Sequence, residues 1–306
     1  MAIQKEIWLN TIVENLFAPR TFMAKSIDDG AFVVGGKTVH VPNAGKASKV
    51  EVNRSEVPAK ASVRTDTDME YTIDEHTTDP VHIPNADTVE LSYDKRKSII
   101  ATDREALEES VAVTMLYRWA SKVDEKHVVK TTGAARKAHT STTATSNRKK
   151  VTRADIEALM TLMNADGVPQ TGRYLLLDAF MYNDLFEDLT EAQQNAFLGC
   201  ADASRGVLGK FASFEILDPR QVLRVKASDN KTLIKWDAAG EATEKAAGLA
   251  WQESCVSRAM GEKKMFSKED DPLYYGDVYS FLVRAGGAPR RSDLKGVALL
   301  VEDASA

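Results

Sequence analysis

The chain has 306 residues, of which 43% are hydrophobic and 28% are charged, and its formal net charge is −5. This length fits one large domain or two smaller ones, and a chain of this size can bury a core without disulfides or metals. The composition excludes disordered and fibrous proteins, and the charge balance lacks the basic excess of a dedicated nucleic-acid-binding protein. The two cysteines, Cys200 and Cys255, are far apart and form no disulfide framework, which favours a reducing cytoplasm.

The N-terminus carries no signal-peptide pattern, and no stretch of about 18 apolar residues could form a transmembrane helix. We therefore expect no membrane partner. Apolar residues near the N-terminus recur instead at close to helical spacing, namely Ile7, Trp8, Ile12, Leu16 and Phe17. They predict a short amphipathic helix within an arm of residues 1–30. Its apolar face covers either the core of this chain or a neighbouring subunit.

Residues 31–43 have the pattern of a tight β-hairpin. Two short apolar strands flank Gly35-Gly36, which supplies the positive φ values of a hairpin turn, and Pro42 closes the second strand. Residues 31–38 also match a relaxed phosphate-binding loop. That loop requires a helix directly after it, whereas a strand pattern follows Thr38, so we favour the hairpin over nucleotide binding.

Residues 44–75 are polar and charged, yet they contain two alternating patterns that are typical of strands. Val50 and Val52 carry the first pattern, and Met69, Tyr71 and Ile73 carry the second. Together they predict a long two-stranded ribbon with a thin apolar face. A two-stranded ribbon is only marginally stable alone in water. It therefore folds back on its own domain or contacts another chain.

A capping box at Thr102–Glu105 followed by apolar residues at helical spacing predicts one long helix over residues 103–129, about 40 Å in length. Residues 131–150 contain no acid and no large apolar side chain, which indicates an exposed polar loop. Its basic residues are either solvated or in contact with nucleic-acid phosphates, which attract unopposed cations. They are Arg136, Lys137, Arg148, Lys149 and Lys150.

The rest of the chain predicts mixed helices and strands. Thr152 caps a second helix with the apolar stripe Ile156, Leu159, Met160 and Met163. Helices are then predicted over 180–189 and 246–260. Strands are predicted over 174–177, 214–217, 222–225, 278–283 and 296–301.

No motif in the sequence supplies a catalytic, cofactor-binding or metal site. His76, Asp79 and His82 lie in a Pro-containing loop without a further histidine or cysteine nearby, so a surface loop is favoured over a metal centre. The other histidines and the cysteines occur in no nucleophile signature. We therefore expect no enzyme and no cofactor.

The order of these elements resembles that of the Hong Kong 97-type major capsid proteins of tailed bacteriophages. Local segments strengthen the likeness, namely Gly172–Asp178, Gly206–Phe211, Tyr274–Asp277, Arg284–Gly287 and Lys295–Ala298. The resemblance implies an α+β capsid fold. It assigns an N-arm to 1–30, a P-domain hairpin to 31–43, and an E-loop to 44–75. It assigns the P domain with its spine helix to 76–171, mainly the A domain to 172–272, and the final P-domain strands to 273–306.

The resemblance also implies a function. The chain would assemble into hexamers and pentamers of an icosahedral head around double-stranded DNA, with portal, scaffolding and decoration proteins as further partners. Such a subunit would be assembled in the host cytoplasm and reside in the virion. Residues of the arm and E-loop would contact a neighbouring subunit, namely Trp8, Phe17, Lys49, Glu51, Arg54, Glu56, Arg64, Asp68 and Glu70. Opposite charges there would set the register between subunits.

Two other functions stay open on the sequence. The first is the shell of an encapsulin-like bacterial compartment, which would share the fold. The second is a soluble α/β enzyme, which would need a catalytic constellation that the motifs do not provide.

Overall fold

A computed structural model describes residues 21–43, 50–55, 63, 67–84, 95–217, 223–235 and 237–305. Its helices are α1 (Lys95–Ala120), α2 (Arg153–Ala165), α3 (Ala179–Asp188) and α4 (Glu191–Leu198). Its strands are β1 (Ile27–Asp28), β2 (Val33–Val34), β3 (Thr38–Asn43), β4 (Thr67–Thr72), β5 (Asp74–Thr77), β6 (Val81–Pro84), β7 (Val128–Lys130), β8 (Ala135–Lys137), β9 (Asn147–Lys149), β10 (Arg173–Leu176), β11 (Val207–Phe211), β12 (Phe214–Leu217), β13 (Leu223–Val225), β14 (Leu233–Ile234), β15 (Lys245–Gln252), β16 (Val256–Asp271), β17 (Gly276–Pro289), β18 (Val297–Val301) and β19 (Ala304–Ser305).

The strands form two large sheets and two small ones. The long hairpin β16–β17 is the centre of a five-stranded sheet with the order β1-β16-β17-β5, in which β6 also pairs with β17. The eight-stranded sheet has the order β11-β12-β10-β15-β13-β14, and β18 pairs with both β15 and β7. The small sheets are β2-β3-β4 and β8-β9-β19. This α+β architecture confirms the fold class expected from the sequence.

The predicted helix over 246–260 is wrong, because this segment forms β15 and the start of β16. Every residue of β15 is buried. Ala247 pairs with Leu223 on one side and with Val301 on the other, so the strand lies in the middle of the sheet. A strand that is buried on both faces has a continuous apolar run without alternation, and such a run cannot be distinguished from a buried helix by periodicity.

The long helix is present but shifted towards the N-terminus: it runs over 95–120 and not over 103–129. No Gly or Pro separates Lys95 from Thr102, so the helix begins earlier and the capping-box pattern lies inside it. At the other end, the Asp124 carboxylate accepts the Glu125 N–H at 2.8 Å and starts a 3₁₀ turn. The next residues form β7, which pairs in parallel with β18. Tertiary pairing therefore overrides helical propensity after Ala120.

The hairpin at 31–43 is confirmed, with Gly35 and Gly36 at φ values of 62° and 70°. The strand β3 passes through Pro42 and pairs along its whole length with β4. The predicted pairing of residues around Val50 with those around Tyr71 is wrong, because residues 50–55 form no strand and β4 takes β3 as its partner. The α2 prediction is confirmed, with Ile156, Leu159 and Met163 buried beneath the helix.

Two further predictions are corrected. Residues 131–150 contain β8 and β9, which pair with each other, and β9 also pairs with β19, so this segment is not a plain exposed loop. A domain division between residues 272 and 273 would separate β16 from β17, although these strands pair from Val256 opposite Pro289 to Asp271 opposite Gly276. Residues 256–271 thus belong with the final strands and not with the eight-stranded sheet.

A pair of tryptophans joins the two large sheets. Trp119 of α1 and Trp251 of β15 are both fully buried, and their ring centroids are 5.5 Å apart. The Phe22 ring packs edge-on against both, with centroid distances of 5.7 and 6.2 Å. Trp119 Nε1 donates to the Ser257 carbonyl and Trp251 Nε1 donates to the Lys25 carbonyl, each at 2.8 Å. Helix α1, both sheets and the segment before β1 therefore share one core.

We predict that Gly287→Ala lowers the free energy of unfolding by about 2 kcal/mol or more, the usual cost of overpacking a filled core. A Cβ at this position of β17 would clash with the Ser257 carbonyl oxygen and would lie 2.5 Å from Trp119 Nε1. Urea denaturation monitored by tryptophan fluorescence measures the change. Gly199→Ala is the control, because Gly199 has φ −63° and ends helix α4; this variant should change stability by less than about 1 kcal/mol. Equal stability of the two variants would contradict the prediction.

Candidate assembly surfaces

The segment between β3 and β4 exposes apolar side chains that the rest of the described chain leaves uncovered. Val50, Val52 and Val63 are 88%, 84% and 95% exposed. Glu51 and Arg54 form an ion pair with a 3.3 Å separation between Nε and Oε2. Isolated apolar side chains are common on protein surfaces, but three valines within one segment at such exposure form a surface suited to contact with another molecule.

The base of the same segment is anchored in its own chain. Val39 and Val41 of β3 pack with Tyr71 of β4 and with Ile73 against Ala259 and Ala288 of the long hairpin, and all six are buried. Ser257 Oγ donates to the Tyr71 hydroxyl at 3.1 Å. The β3–β4 pair is thus an anchored foot held by its own chain, whereas the described residues beyond it, 50–55 and 63, are exposed.

Four of the nine predicted contact residues lie in the described part of the chain. Asp68 and Glu70 lie exposed on β4, and Glu70 Oε1 is 3.8 Å from His40 Nε2 of β3. Glu51 and Arg54 are exposed and paired with each other. The remaining predicted residues lie outside the described part of the chain, namely Trp8, Phe17, Lys49, Glu56 and Arg64.

A second exposed apolar surface, which the sequence analysis missed, lies at the tip of the long hairpin. Leu273, Tyr274 and Tyr275 connect β16 to β17 and are 77%, 55% and 80% exposed. The sequence contains a signal for this surface. Turns normally consist of polar residues, whereas this one has three consecutive large apolar side chains. We call these three residues the hairpin tip.

Four of the five basic residues of 131–150 have partners within the chain, which weakens the premise of unopposed cations behind the DNA-facing prediction. Arg148 is buried and donates from Nε and Nη2 to the Glu244 carbonyl at 3.1 and 2.7 Å. Lys149 Nζ donates to Asp303 Oδ2 at 3.0 Å, and Lys150 Nζ donates to Glu187 Oε2 at 2.9 Å. Arg136 is also paired, as described below. Lys137 is exposed on β8.

Six charged or titratable groups meet where β8, β18 and the start of α3 converge. We call them the buried ionic cluster: Arg136, His139, Lys150, Asp178, Asp184 and Glu302. Arg136 Nη2 donates to Glu302 Oε1, and its Nε lies 3.0 Å from Asp184 Oδ2. His139 Nε2 lies 2.5 Å from Asp178 Oδ2. Asp178 also caps α3 by accepting the Met181 N–H at 2.7 Å.

Burial dominates the electrostatics of this cluster. The side chains of Asp178 and Glu302 have no exposed surface, and that of Asp184 is 2% exposed. Burial raises the pKa of the Glu302 carboxyl to about 7, although His139 and Arg136 act in the opposite direction. Burial likewise raises the pKa of Asp184 against the effect of Arg136 and Lys150.

The cluster is arranged for structure and not for catalysis. A His–Asp pair can activate a nucleophile, but the second imidazole nitrogen of His139 faces Arg136 Nη1 at 3.0 Å, which is a donor and not a nucleophilic hydroxyl. The side chain of His139 is only 7% exposed, which leaves no access for a substrate.

Cys255, which lies outside the cluster, is also poorly suited to nucleophilic chemistry. Burial raises the pKa of its thiol, which disfavours a thiolate nucleophile.

Within the described ranges, no group of His, Cys, Asp or Glu side chains is placed to hold a metal ion. None of the described helices is both long enough and apolar enough to cross a bilayer.

Comparison with protein-family models finds no match. A search of curated proteins by sequence also finds none. Solved structures do match over nearly the whole chain. The capsid of the cyanophage P-SCSP1u has a TM-score of 0.62 at 17% sequence identity, covering 92% of this chain and 87% of that chain. The capsid of Ralstonia phage GP4 has a TM-score of 0.63 at 15% identity, covering 94% and 92%.

The head of Helicobacter pylori bacteriophage KHP40 matches with a TM-score of 0.59 at 13% identity, covering 94% of this chain and 91% of that chain. The chain has the Hong Kong 97-like capsid fold. This fold, which the sequence resemblance implied, is thus shared by chains with little sequence in common. In the Hong Kong 97-like fold of this chain, the described residues between β3 and β4, 50–55 and 63, are exposed, as is the hairpin tip, and the buried ionic cluster lies within the body.

We predict that Arg136→Met lowers the free energy of unfolding by about 3 kcal/mol or more, because Glu302 would then be buried without its Arg136 partner and Asp184 would keep only Lys150. Lys137→Met on the same strand is the matched control and should change stability by less than about 0.5 kcal/mol, since Lys137 is exposed. Chemical denaturation of both variants tests this. If Arg136→Met leaves the free energy of unfolding unchanged, the cluster contributes little to the stability of the fold.

Proposed function

We propose that the chain is the major capsid protein of a tailed bacteriophage, which assembles into hexamers and pentamers of an icosahedral head around double-stranded DNA and catalyses nothing. The observation that carries this proposal is the likeness to phage capsid subunits along at least 92% of the chain in the cyanophage P-SCSP1u and Ralstonia phage GP4 structures. The capsid of a native GTA particle is among the similar structures.

The domain assignment follows the resemblance with the corrected elements. Residues 1–30 are the N-arm. The E-loop is the segment between β3 and β4, residues 44–66, because β4 belongs to the anchored foot. The P domain contains α1 as its spine helix together with the long hairpin β16–β17. The A domain contains most of the eight-stranded sheet with α3 and α4, and α2 belongs to the P-domain range 76–171.

The E-loop lies on a neighbouring subunit in this proposal. Its foot is fixed by the buried Tyr71, whereas Val50, Val52 and Val63 each expose more than four fifths of their surface. Burying three such side chains in a contact would contribute about 1.5 kcal/mol or more for each. Because the contact repeats at every subunit of a closed shell, a modest contribution per subunit accumulates over the assembly.

The remaining partners follow from the same role. Portal, scaffolding and decoration proteins would bind the shell, which would be assembled in the host cytoplasm and remain in the virion. Contact with packaged DNA through residues 131–150 has weak support, because Arg136, Arg148, Lys149 and Lys150 are engaged within the chain. Lys137 is the residue of that set that still offers an exposed cation.

We predict that the expressed chain, alone or with its scaffolding protein, forms capsomers or closed particles. Negative-stain electron microscopy of the high-mass fraction from gel filtration shows them directly. A stable monomer under all conditions, with and without scaffolding protein, would count against the proposal. Particles that enclose a protein cargo and no DNA when isolated from the native source would favour the encapsulin-like compartment instead.

We predict that deleting residues 46–64 abolishes assembly and leaves a folded subunit. Asn43 and Thr67 are paired neighbours in the β3–β4 ladder, so the remaining residues can close a short hairpin. Gel filtration measures assembly, and thermal unfolding followed by circular dichroism measures the fold.

A substitution variant serves as a second test that keeps the chain length. Val50→Ser, Val52→Ser and Val63→Ser together should prevent assembly with less than about 0.5 kcal/mol change in stability at each site. Val34→Ser is the control, because Val34 is 60% exposed but belongs to the anchored hairpin. Unfolding of the deletion variant would show that the E-loop is part of the core of its own chain.

A further inference from the structure

The buried ionic cluster connects three parts of the chain that are distant in sequence. Arg136 and His139 lie on and just after β8, Asp178 and Asp184 belong to the cap and body of α3, and Glu302 follows β18 directly. The next residues, 304–305, form β19, which pairs with β9. The cluster therefore holds the C-terminal strand and the β8–β9 pair against α3.

His139 contacts three other members of the cluster. Its Nε2 lies 2.5 Å from Asp178 Oδ2. Its Nδ1 lies 3.0 Å from Arg136 Nη1 and 3.8 Å from Glu302 Oε1. The imidazole ring therefore joins the cap of α3 to the residue that follows β18.

The two carboxyl oxygens of Glu302 have different surroundings. Oε1 accepts from Arg136 Nη2, and His139 Nδ1 lies 3.8 Å from it. Oε2 is buried without a hydrogen-bond partner among the described residues. The charged or titratable groups that face the carboxyl are Arg136, His139 and Asp178. Negative charge on a buried oxygen without a donor is costly, and protonation of the carboxyl removes it.

We propose that Glu302 is the proton-binding group of a pH-sensitive clasp. When Glu302 is protonated, the clasp holds β19 and the β8–β9 pair closed on α3. When Glu302 is ionised, the same contacts loosen and the C-terminal strand separates more readily from β9.

The direction of the pH effect follows from the burial of Glu302. Its pKa in the closed form is raised to about 7, above the ordinary value of 4.5. The stabilising contribution is therefore complete below the ordinary value and is lost as the pH rises towards 7. Above that pH both forms are ionised, and the dependence ends.

Hydrogen exchange of the full chain, analysed as protection factors by mass spectrometry, tests the clasp. The reporting amides are Glu302, which donates to the Ala246 carbonyl at 3.0 Å, and Asp303, which donates to Thr131 Oγ1 at 3.0 Å. We expect their protection to fall by about thirtyfold between pH 5.5 and 8, because release of one proton changes the equilibrium about tenfold for each pH unit up to the raised pKa of about 7. Glu302→Gln should show the same protection at both pH values.

The matched control is Asp303→Asn, one residue further along the chain. Partial burial of Asp303 acts against its ionisation, but the hydrogen bond from Lys149 outweighs it and holds the pKa below the usual value. Asp303 is therefore already ionised in this range, and the control should keep the wild-type profile. A flat wild-type profile, or a pH dependence that persists in Glu302→Gln, would overturn the proposal.

A second measurement needs no variant and so remains decisive if Glu302→Gln does not fold. Infrared difference spectra of the wild-type chain should show loss of one protonated-carboxyl band with a midpoint near pH 7. Absence of such a band above pH 5.5 would show that Glu302 is ionised throughout and would exclude the clasp. Both measurements are made on the subunit itself, so their outcome does not depend on whether the chain forms shells.

Discussion

The packing of Trp119 against Trp251 is the contact on which the rest of the structure depends. Trp119 belongs to the long helix and Trp251 to the central strand of the eight-stranded sheet, so their contact joins the two halves of the molecule in one core. Each indole N–H also bonds to a backbone carbonyl, which fixes the rings in one orientation. The body is therefore a single packed unit, and a closed shell built from it would use its extensions as connectors.

The division between body and extensions explains where interaction can occur. The body holds many of its charged side chains against partners of its own chain, as the contacts of Arg136, Arg148 and Arg173 show. The extensions leave large apolar side chains in water at the E-loop and at the hairpin tip. Apolar surface without an intramolecular cover is the common basis of protein association. The sharp contrast between the two regions thus supports a self-assembling subunit more strongly than either region alone.

The basic segment illustrates how charge in a sequence differs from charge on a surface. Residues 131–150 contain no acid, which suggested a solvated or DNA-facing loop. The opposing acids come from elsewhere in the chain: Asp184 and Glu187 from α3, and Glu302 and Asp303 from the C-terminal end. Because these partners are more than 30 residues away, no local pattern could reveal them. The same distance hid the ionic cluster that His139 and Glu302 help to form.

Local patterns determined those features of this protein that depend on neighbouring residues in the chain. They include the Gly35-Gly36 hairpin, the Thr152-capped helix and the strand at 174–177, and their order was enough to indicate the capsid fold. Tertiary structure alone decided the features that depend on distant partners. Residues 245–252 became a strand because β10, β13 and β18 surround them, and the long helix ended at Ala120, ahead of residues 128–130, which pair with β18. The local sequence does not determine the conformation of an apolar run or the residue at which a helix ends. The free energy of burial against other elements decides both.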